Sequence, residues 1–361
     1  MKRSQAILLL YFFMLPVAYS QKLSPGFNKQ ECLDLVYLSS RPLDTAYYRP
    51  VRVAQRFRVV YRSPVVGLDN RWDLALRADS VAAISIRGTT RNNISWLENF
   101  YAAMVPATGS ITLSKDFTFH YKLADNPQAA VHVGWLLATA ALSRDVEAKV
   151  DSLARRGYRD FLIVGHSQGG GIAYLLTSHL RQLQQDGRIA ARIRFKTYCL
   201  GAPKPGNQHY AYDYEAATAG GWSLTVVNSA DWVPETPMSI QTIGDFNPTN
   251  PFKNVRSVIR RQPFPRNLAM RFGFNQLNNP TQKALRKYQK YLGHRVGKSV
   301  RKHLPEFVPP AYYPSSNYMR AGQPIVLQAD AEYFRRFPDN DRNVFVHHLM
   351  SPYVYLLRQL R

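Results

Sequence analysis

The chain is poor in cysteine, in acid and in long apolar runs, and each shortage removes a class of protein. Of 361 residues only Cys32 and Cys199 are cysteines, and two thiols make no disulfide framework. Cys199 lies in a run that reads as a strand, so a buried free thiol is expected there rather than a bridge to Cys32. Asp and Glu number 24 against 47 Lys and Arg, a formal net charge of +23. Beyond residue 20 no stretch approaches the roughly 18 apolar residues of a membrane-spanning helix. Metal-ligand spacing is also lacking, so neither a metal nor an organic cofactor is expected.

The one sustained apolar run is at the start. Met1-Lys2-Arg3 precedes Ala6 to Ala18, and Ala18-Tyr19-Ser20 offers a small-x-small cleavage site. This pattern predicts a secretory signal peptide over residues 1–20, and so a secreted or periplasmic protein of residues 21–361. No cysteine stands at the cut, so lipid modification is not expected. Removal of the leader takes the net charge from +23 to +21. A protein this basic outside the cytoplasm is drawn to anionic lipid, glycolipid or acidic polysaccharide. Nucleic acid is not an expected partner.

What the chain does have is centred on Phe161-Leu-Ile-Val-Gly165-His-Ser167-Gln-Gly169-Gly-Gly171. An apolar strand runs into G-x-S-x-G, and Ile172, Leu175, Leu176, His179, Leu180 and Leu183 then recur at helical spacing. Strand, tight glycine turn and helix together predict a nucleophile elbow, with Ser167 lifted above a sheet. Upstream, residues 56–61 and 72–78 alternate as half-buried strands do, and 81–86 is a further strand ending in Arg87-Gly88-Thr89-Thr90. That loop can supply one of two oxyanion donors, the N–H of Thr89 with its hydroxyl; the N–H of Gln168 would be the other.

Ile94, Leu97, Tyr101 and Met104 mark one face of a short helix, with Trp96 and Phe100 beside it. Core packing and a mobile apolar lid both remain open for it. A long amphipathic helix from Leu136 to Gly157 feeds the elbow strand, and strands at 195–200 and 223–228 follow. This βαβ rhythm predicts an α/β fold, a mostly parallel sheet with helices on both faces. Asp231 lies just past a strand end. Of nine histidines, His294, His303, His347 and His348 follow it, which suits the chain order serine, acid, histidine.

With these residues the chain resembles the class three (fungal-type) lipase family of α/β-hydrolases. The likeness rests on five blocks in order: Arg87-Gly88-Thr89 with Trp96, Val131-His132-x-Gly134-Trp135, the Gly165–Gly170 elbow, Gly201-x-Pro203-x-x-Gly206-Asn207, and Asn228-x-x-Asp231-x-Val233-Pro234-x-x-Pro237. It implies Ser167 as nucleophile, Asp231 as acid, His348 as base, and Thr89 and Gln168 as oxyanion donors. His348 is preferred to His347 because Leu349 and Tyr353 follow it as in the family. Two departures stand out. The family usually has Leu where Gln168 stands, and the interval from Asp231 to His348 is long enough to hold a cap insertion at about 238–325.

The expected activity is therefore hydrolysis of carboxylic esters, most simply lipid esters of acylglycerol type. Phospholipid or glycan esters under the same triad are the alternative, and a non-catalytic binder of anionic surfaces is the second. Residues 252–303 bear on both, with 14 Lys or Arg and no acid. Leu285, Tyr288, Leu292, Val296, Val300 and Leu304 place an apolar stripe along a cationic helix. This segment is expected to dock on an anionic membrane or glycolipid surface.

Overall fold

The computed structural model describes residues 22–40 and 56–360, so the expected leader lies outside the described residues. Helix α1 (Lys29–Ser40) precedes β1 (Phe57–Arg62), β2 (Trp72–Arg77) and β3 (Val81–Ile86). Helix α2 (Asn93–Phe100) leads into β4 (Met104–Pro106), the hairpin β5 (Thr108–Ser114) and β6 (Phe117–Lys122), and then β7 (Ala130–His132). The long α3 (Val133–Arg155), β8 (Asp160–His166) and α4 (Gln168–Gln185) form the centre. After them come β9 (Arg194–Leu200), β10 (Gly206–Asn207), α5 (Gln208–Ala217) and β11 (Ser223–Asn228).

The main sheet has the order β1-β2-β3-β8-β9-β11-β13, with β13 at Gln323–Leu327. The pairs from β3 to β13 are all parallel, while β1 and β2 add an antiparallel edge. Successive side chains of a strand face opposite ways, and both faces here are apolar. On β8, Phe161 and Ile163 join the core under α3 and α4, whereas Leu162 and Val164 join the core under α1 and α10 (Met350–Gln359). This is the α/β-hydrolase architecture anticipated above. Cys32 and Cys199 are both buried and free, and they lie in cores on opposite faces of the sheet.

Two local expectations change. Met104 is not on the short helix: α2 stops at Phe100, and Met104 pairs with His132 across the β4–β7 ladder. Backbone pairing with a strand distant in sequence overrides the helical spacing of one apolar residue. The basic segment folds as α6 (Val255–Arg260), α7 (Arg266–Tyr288), a π-helical turn at Gln289–Arg295 and α8 (Val296–His303). Repeated four-residue spacing drifts about 40° per step round an α-helix, and the wider π turn takes up that drift. Leu285, Tyr288 and Val300 are buried as a result. The turn also frees the Leu292 carbonyl to accept from Ala103 N at 3.2 Å. From α8 the chain returns through β12 (Tyr318–Met319), α9 (Ala331–Arg336) following β13.

Candidate active site

Ser167 sits between β8 and α4 at φ 59° and ψ −131°, a region that side chains other than glycine rarely adopt and that costs about 1–3 kcal/mol. Its N–H donates to Leu200 O at 3.0 Å, and the glycines let the turn close. A Cβ at Gly165 would lie 2.0 Å from the Gly169 carbonyl oxygen, and one at Gly169 2.5 Å from that of Ile86. The packing that forbids those two side chains also holds Ser167 strained.

Asp231 and His348 meet from distant parts of the chain. Asp231 follows β11, and His348 ends a 3₁₀ turn, Val346–His348, just before α10. His348 Nδ1 lies 2.7 Å from Asp231 Oδ2. Tyr353, one turn into α10, donates to the same oxygen at 2.7 Å, and Val233 N–H donates to Oδ1 at 2.9 Å. Burial pushes the Asp231 pKa up, but the neighbouring His348 and these hydrogen bonds outweigh it and hold the carboxyl below its ordinary value. His348 Nε2 is buried with no hydrogen-bond partner among the described residues, and His348 lines the same cleft as Ser167. The buried His166 ring packs against His348 with centroids 4.3 Å apart, and burial first, then His348, drives its pKa well below the ordinary value.

His347 turns elsewhere. Its Nδ1 lies 2.8 Å from Tyr333 Oη and its Nε2 2.9 Å from Asp339 Oδ1, while its carbonyl accepts from Asn228 Nδ2. Asp330 caps α9 through Tyr333 N. His294 stands over Tyr312 on the helical arm.

Behind the Arg87–Thr90 loop is a network that sequence reasoning missed. Asn99 donates to Thr89 Oγ1 at 2.9 Å. It is held in turn by Trp135 Nε1, 3.3 Å from its side-chain oxygen, and by the His132 ring on its carbonyl. The His132 and Trp135 block thus supports the threonine loop, and burial lowers the His132 pKa to about 3, leaving it a neutral strut. Gln168 uses its side chain below the turn: Nε2 donates to Glu98 Oε1 at 2.8 Å and Oε1 accepts from Ser95 Oγ at 3.1 Å. Asn70 Nδ2 donates to the other Glu98 oxygen at 2.6 Å. Burial raises the Glu98 pKa to about 8 against the pull of those two amides, so Glu98 is largely protonated at neutral pH. Ser95 and Glu98 are three apart on α2 and share its inner face. That spacing, opposite Trp96 and Phe100, was the available signal.

Ser167 and His348 open into a cavity of about 1310 Å³. Trp96, Phe100, Met238, Tyr288, Leu292 and Phe345 form apolar walls, so α2 and the basic arm both contribute to it. Ile94 and Leu97 pack on the core, while Trp96 and Phe100 face the cleft.

A parallel sheet with a strained serine at its central strand end, and an acid–histidine pair beside it, defines the α/β-hydrolase class. Within that class, residues 83–240 match the family described as Lipase (class 3), the resemblance drawn from the five blocks. A secreted mono- and diacylglycerol lipase 1 of Fusarium solani is 29% identical over 140 residues, 37% of this chain and 39% of its own length. The match thus spans about two fifths of that relative. Among solved structures, a triacylglycerol lipase from Penicillium expansum shares 20% identity at a TM-score of 0.40, covering 59% of this chain and 74% of its own. A fungal lipase–inhibitor complex aligns at 19% and 0.44, covering 58% and 74%.

Proposed function

We propose that the protein is an exported serine hydrolase of carboxylic esters, acting on lipid esters of acylglycerol type. The observation that carries this reading is the Asp231–His348 hydrogen bond beside a strained Ser167 in one apolar-walled cleft. Ser167 Oγ attacks the ester carbonyl carbon as His348 Nε2 takes its proton, and Asp231 holds the imidazole in the tautomer that accepts there. The carbonyl oxygen becomes an oxyanion facing the N–H groups of Thr89 and Gln168. The C–O bond to the alcohol then breaks, and His348 returns the proton to the departing oxygen. Water, deprotonated by His348, hydrolyses the acyl-enzyme and frees Ser167.

A fluorophosphonate probe tests the chemistry. Labelling of the protein but not of Ser167→Ala is expected, with turnover across esters of rising acyl length reporting the preferred substrate. A protein that takes no label is a non-catalytic binder instead.

The basic arm is the second part of the proposal: it docks the enzyme on an anionic lipid bilayer. Phe264, Leu268, Phe272 and Leu277 are 78%, 55%, 67% and 77% exposed. Among them stand exposed Arg266 and Arg271, and Lys283 beyond, with no acid between 252 and 303. Large apolar side chains amid one sign of charge suit an anionic interface, where each basic residue gains about 1 kcal/mol. Tyr288 and Leu292 carry the same arm into the cleft wall. The test is sedimentation with neutral and anionic vesicles at low and high salt, repeated after changing Arg286, Lys287, Lys290 and Lys298 to Gln. Preference for anionic vesicles, weakened by salt and by those changes, is expected; equal binding to both would end the idea.

A further inference from the structure

The cleft that holds Ser167 also holds an unusual density of arginine. Arg62, Arg71, Arg87, Arg91 and Arg342 line it, and among the described lining residues Asp69 is the one acid. Two of these arginines are matched by carboxylates. Arg62 makes a two-pronged pair with Asp73, both contacts at 2.8 Å. Arg87 pairs with Asp69 at 2.9 Å, and Asp69 also accepts from Thr90 Oγ1, so this pair braces the oxyanion loop.

Arg71 is different. Its Nε is buried with no hydrogen-bond partner among the described residues, and among them no carboxylate is paired with it. Its charged neighbours are two of each sign: after burial, Arg87 and Arg62 lower its pKa, ahead of Asp73 and Asp69, which raise it and are themselves held by those arginines. A partly buried cation whose nearby carboxylates are each bound to another arginine keeps N–H groups unused, and an anion bound there would take them. The position is close to the chemistry. Arg87 N donates to Arg71 O at 3.0 Å, and Gly88, the next residue, lies against the elbow, where an added Cβ would be 3.6 Å from Ser167 Cβ.

We propose that Arg71, flanked by Arg62 and Arg87, binds the phosphate of a glycerophospholipid headgroup while Ser167 cleaves an acyl ester of the same molecule. The inference rests on the serine-hydrolase reading and, within lipid esters, takes the phospholipid alternative over the neutral acylglycerol. A planar guanidinium donates two parallel N–H bonds to a phosphate, which a neutral acylglycerol cannot accept with comparable strength. The headgroup would be held where β2 begins and β3 ends, with the acyl chains left for the apolar wall of Trp96, Phe100 and Leu292.

The experiment compares short-chain phosphatidic acid with the diacylglycerol of the same chains. Both are kept monomeric so that the arm's docking on a membrane does not enter. The ratio of kcat/KM for the anionic over the neutral ester is expected to fall about tenfold or more in Arg71→Gln, as for loss of a charge-assisted hydrogen bond, and to recover in part in Arg71→Lys. A ratio unchanged by Arg71→Gln overturns the proposal while leaving the hydrolase reading in place. Calorimetric binding of the same phosphatidic acid to Ser167→Ala, with and without Arg71→Gln, reads the subsite without turnover. An unchanged Kd there also overturns it. Inorganic phosphate bound in an Arg71-dependent way, with no Arg71 effect on the lipid, would assign the arginines to free phosphate and reject the headgroup. Failure of the wild type to take the fluorophosphonate label would instead remove the hydrolase reading.

Discussion

Tyr353 donates its hydroxyl to Asp231 Oδ2 at 2.7 Å, the oxygen that His348 Nδ1 also approaches at 2.7 Å. One carboxylate oxygen therefore joins α10 to the 3₁₀ turn before it, and the orientation of the imidazole depends on both. Tyr353→Phe should keep the fold, since the ring stays buried, but leave Asp231 with one fewer donor. Losing a donor to the ionised form raises the carboxylate pKa, so the acid limb of the kcat–pH profile should move to higher pH and kcat should fall a few-fold to about tenfold. A profile identical to wild type would mean that the hydroxyl only fills space.

Ser167→Ala should lower turnover by about a millionfold, leaving roughly a thousandfold over water from the oxyanion donors and binding. Ser167→Gly should be equally inactive but more stable than Ser167→Ala. Glycine adopts φ 59° and ψ −131° without the strain that alanine keeps, a difference of about 1–2 kcal/mol. Thermal unfolding of the two variants side by side checks this, and equal melting temperatures would remove strain from the account of the elbow.

His348→Ala should match the serine variant in activity. His347→Ala should retain most turnover but lose about 1–3 kcal/mol of stability, because Tyr333 Oη and Asp339 lose a buried partner. The reverse ranking in a kinetic assay would exchange the two assignments.

Glu98 predicts a pH dependence of stability. Its folded pKa is raised by burial from the ordinary value of 4.5 to about 8. Between those values the native state holds a proton that the unfolded chain has released, so stability falls as pH rises through that window. Its contribution is complete below the unfolded value and lost above the folded one. Glu98→Gln has no charge to bury, and its single amide oxygen can accept from Gln168 or from Asn70 but not from both. Its unfolding free energy should lose this slope. Denaturant unfolding across the window tests it; parallel curves for the two proteins would refute it.

The elbow was legible because its strand, glycines and helix are contiguous in the chain. Gly165 is demanded by its contact with Gly169, Gly169 by the end of the neighbouring β3 strand at Ile86, and the apolar run of β8 announces a strand buried on both faces. Asp231 was legible by order along the chain and by its place after β11. The choice between His347 and His348 rested on resemblance, since neighbours in sequence differ in direction only once a backbone is built. The Glu98–Gln168–Asn70 network left almost no trace, because its members come from α2, the elbow and the β1–β2 loop. Met104 was misplaced for the same reason, its partner His132 being distant in sequence.

The sequence by itself thus determined the layered α/β scaffold, the strained serine turn and the excess of positive charge, all of which follow from periodicity, glycine spacing and composition. Only the tertiary structure decided which polar groups lose water together. It set His348 rather than His347 on Asp231, and Tyr353 beside them. It turned Ser95 and Glu98 inward while Trp96 and Phe100 face the cleft, and put Arg71 in one cleft with Arg62 and Arg87, whose carboxylates are already taken. Hydrogen bonding and desolvation act through distances of a few ångströms between residues such as Asp231 and Tyr353, 122 positions apart, and no local pattern in a chain encodes such distances.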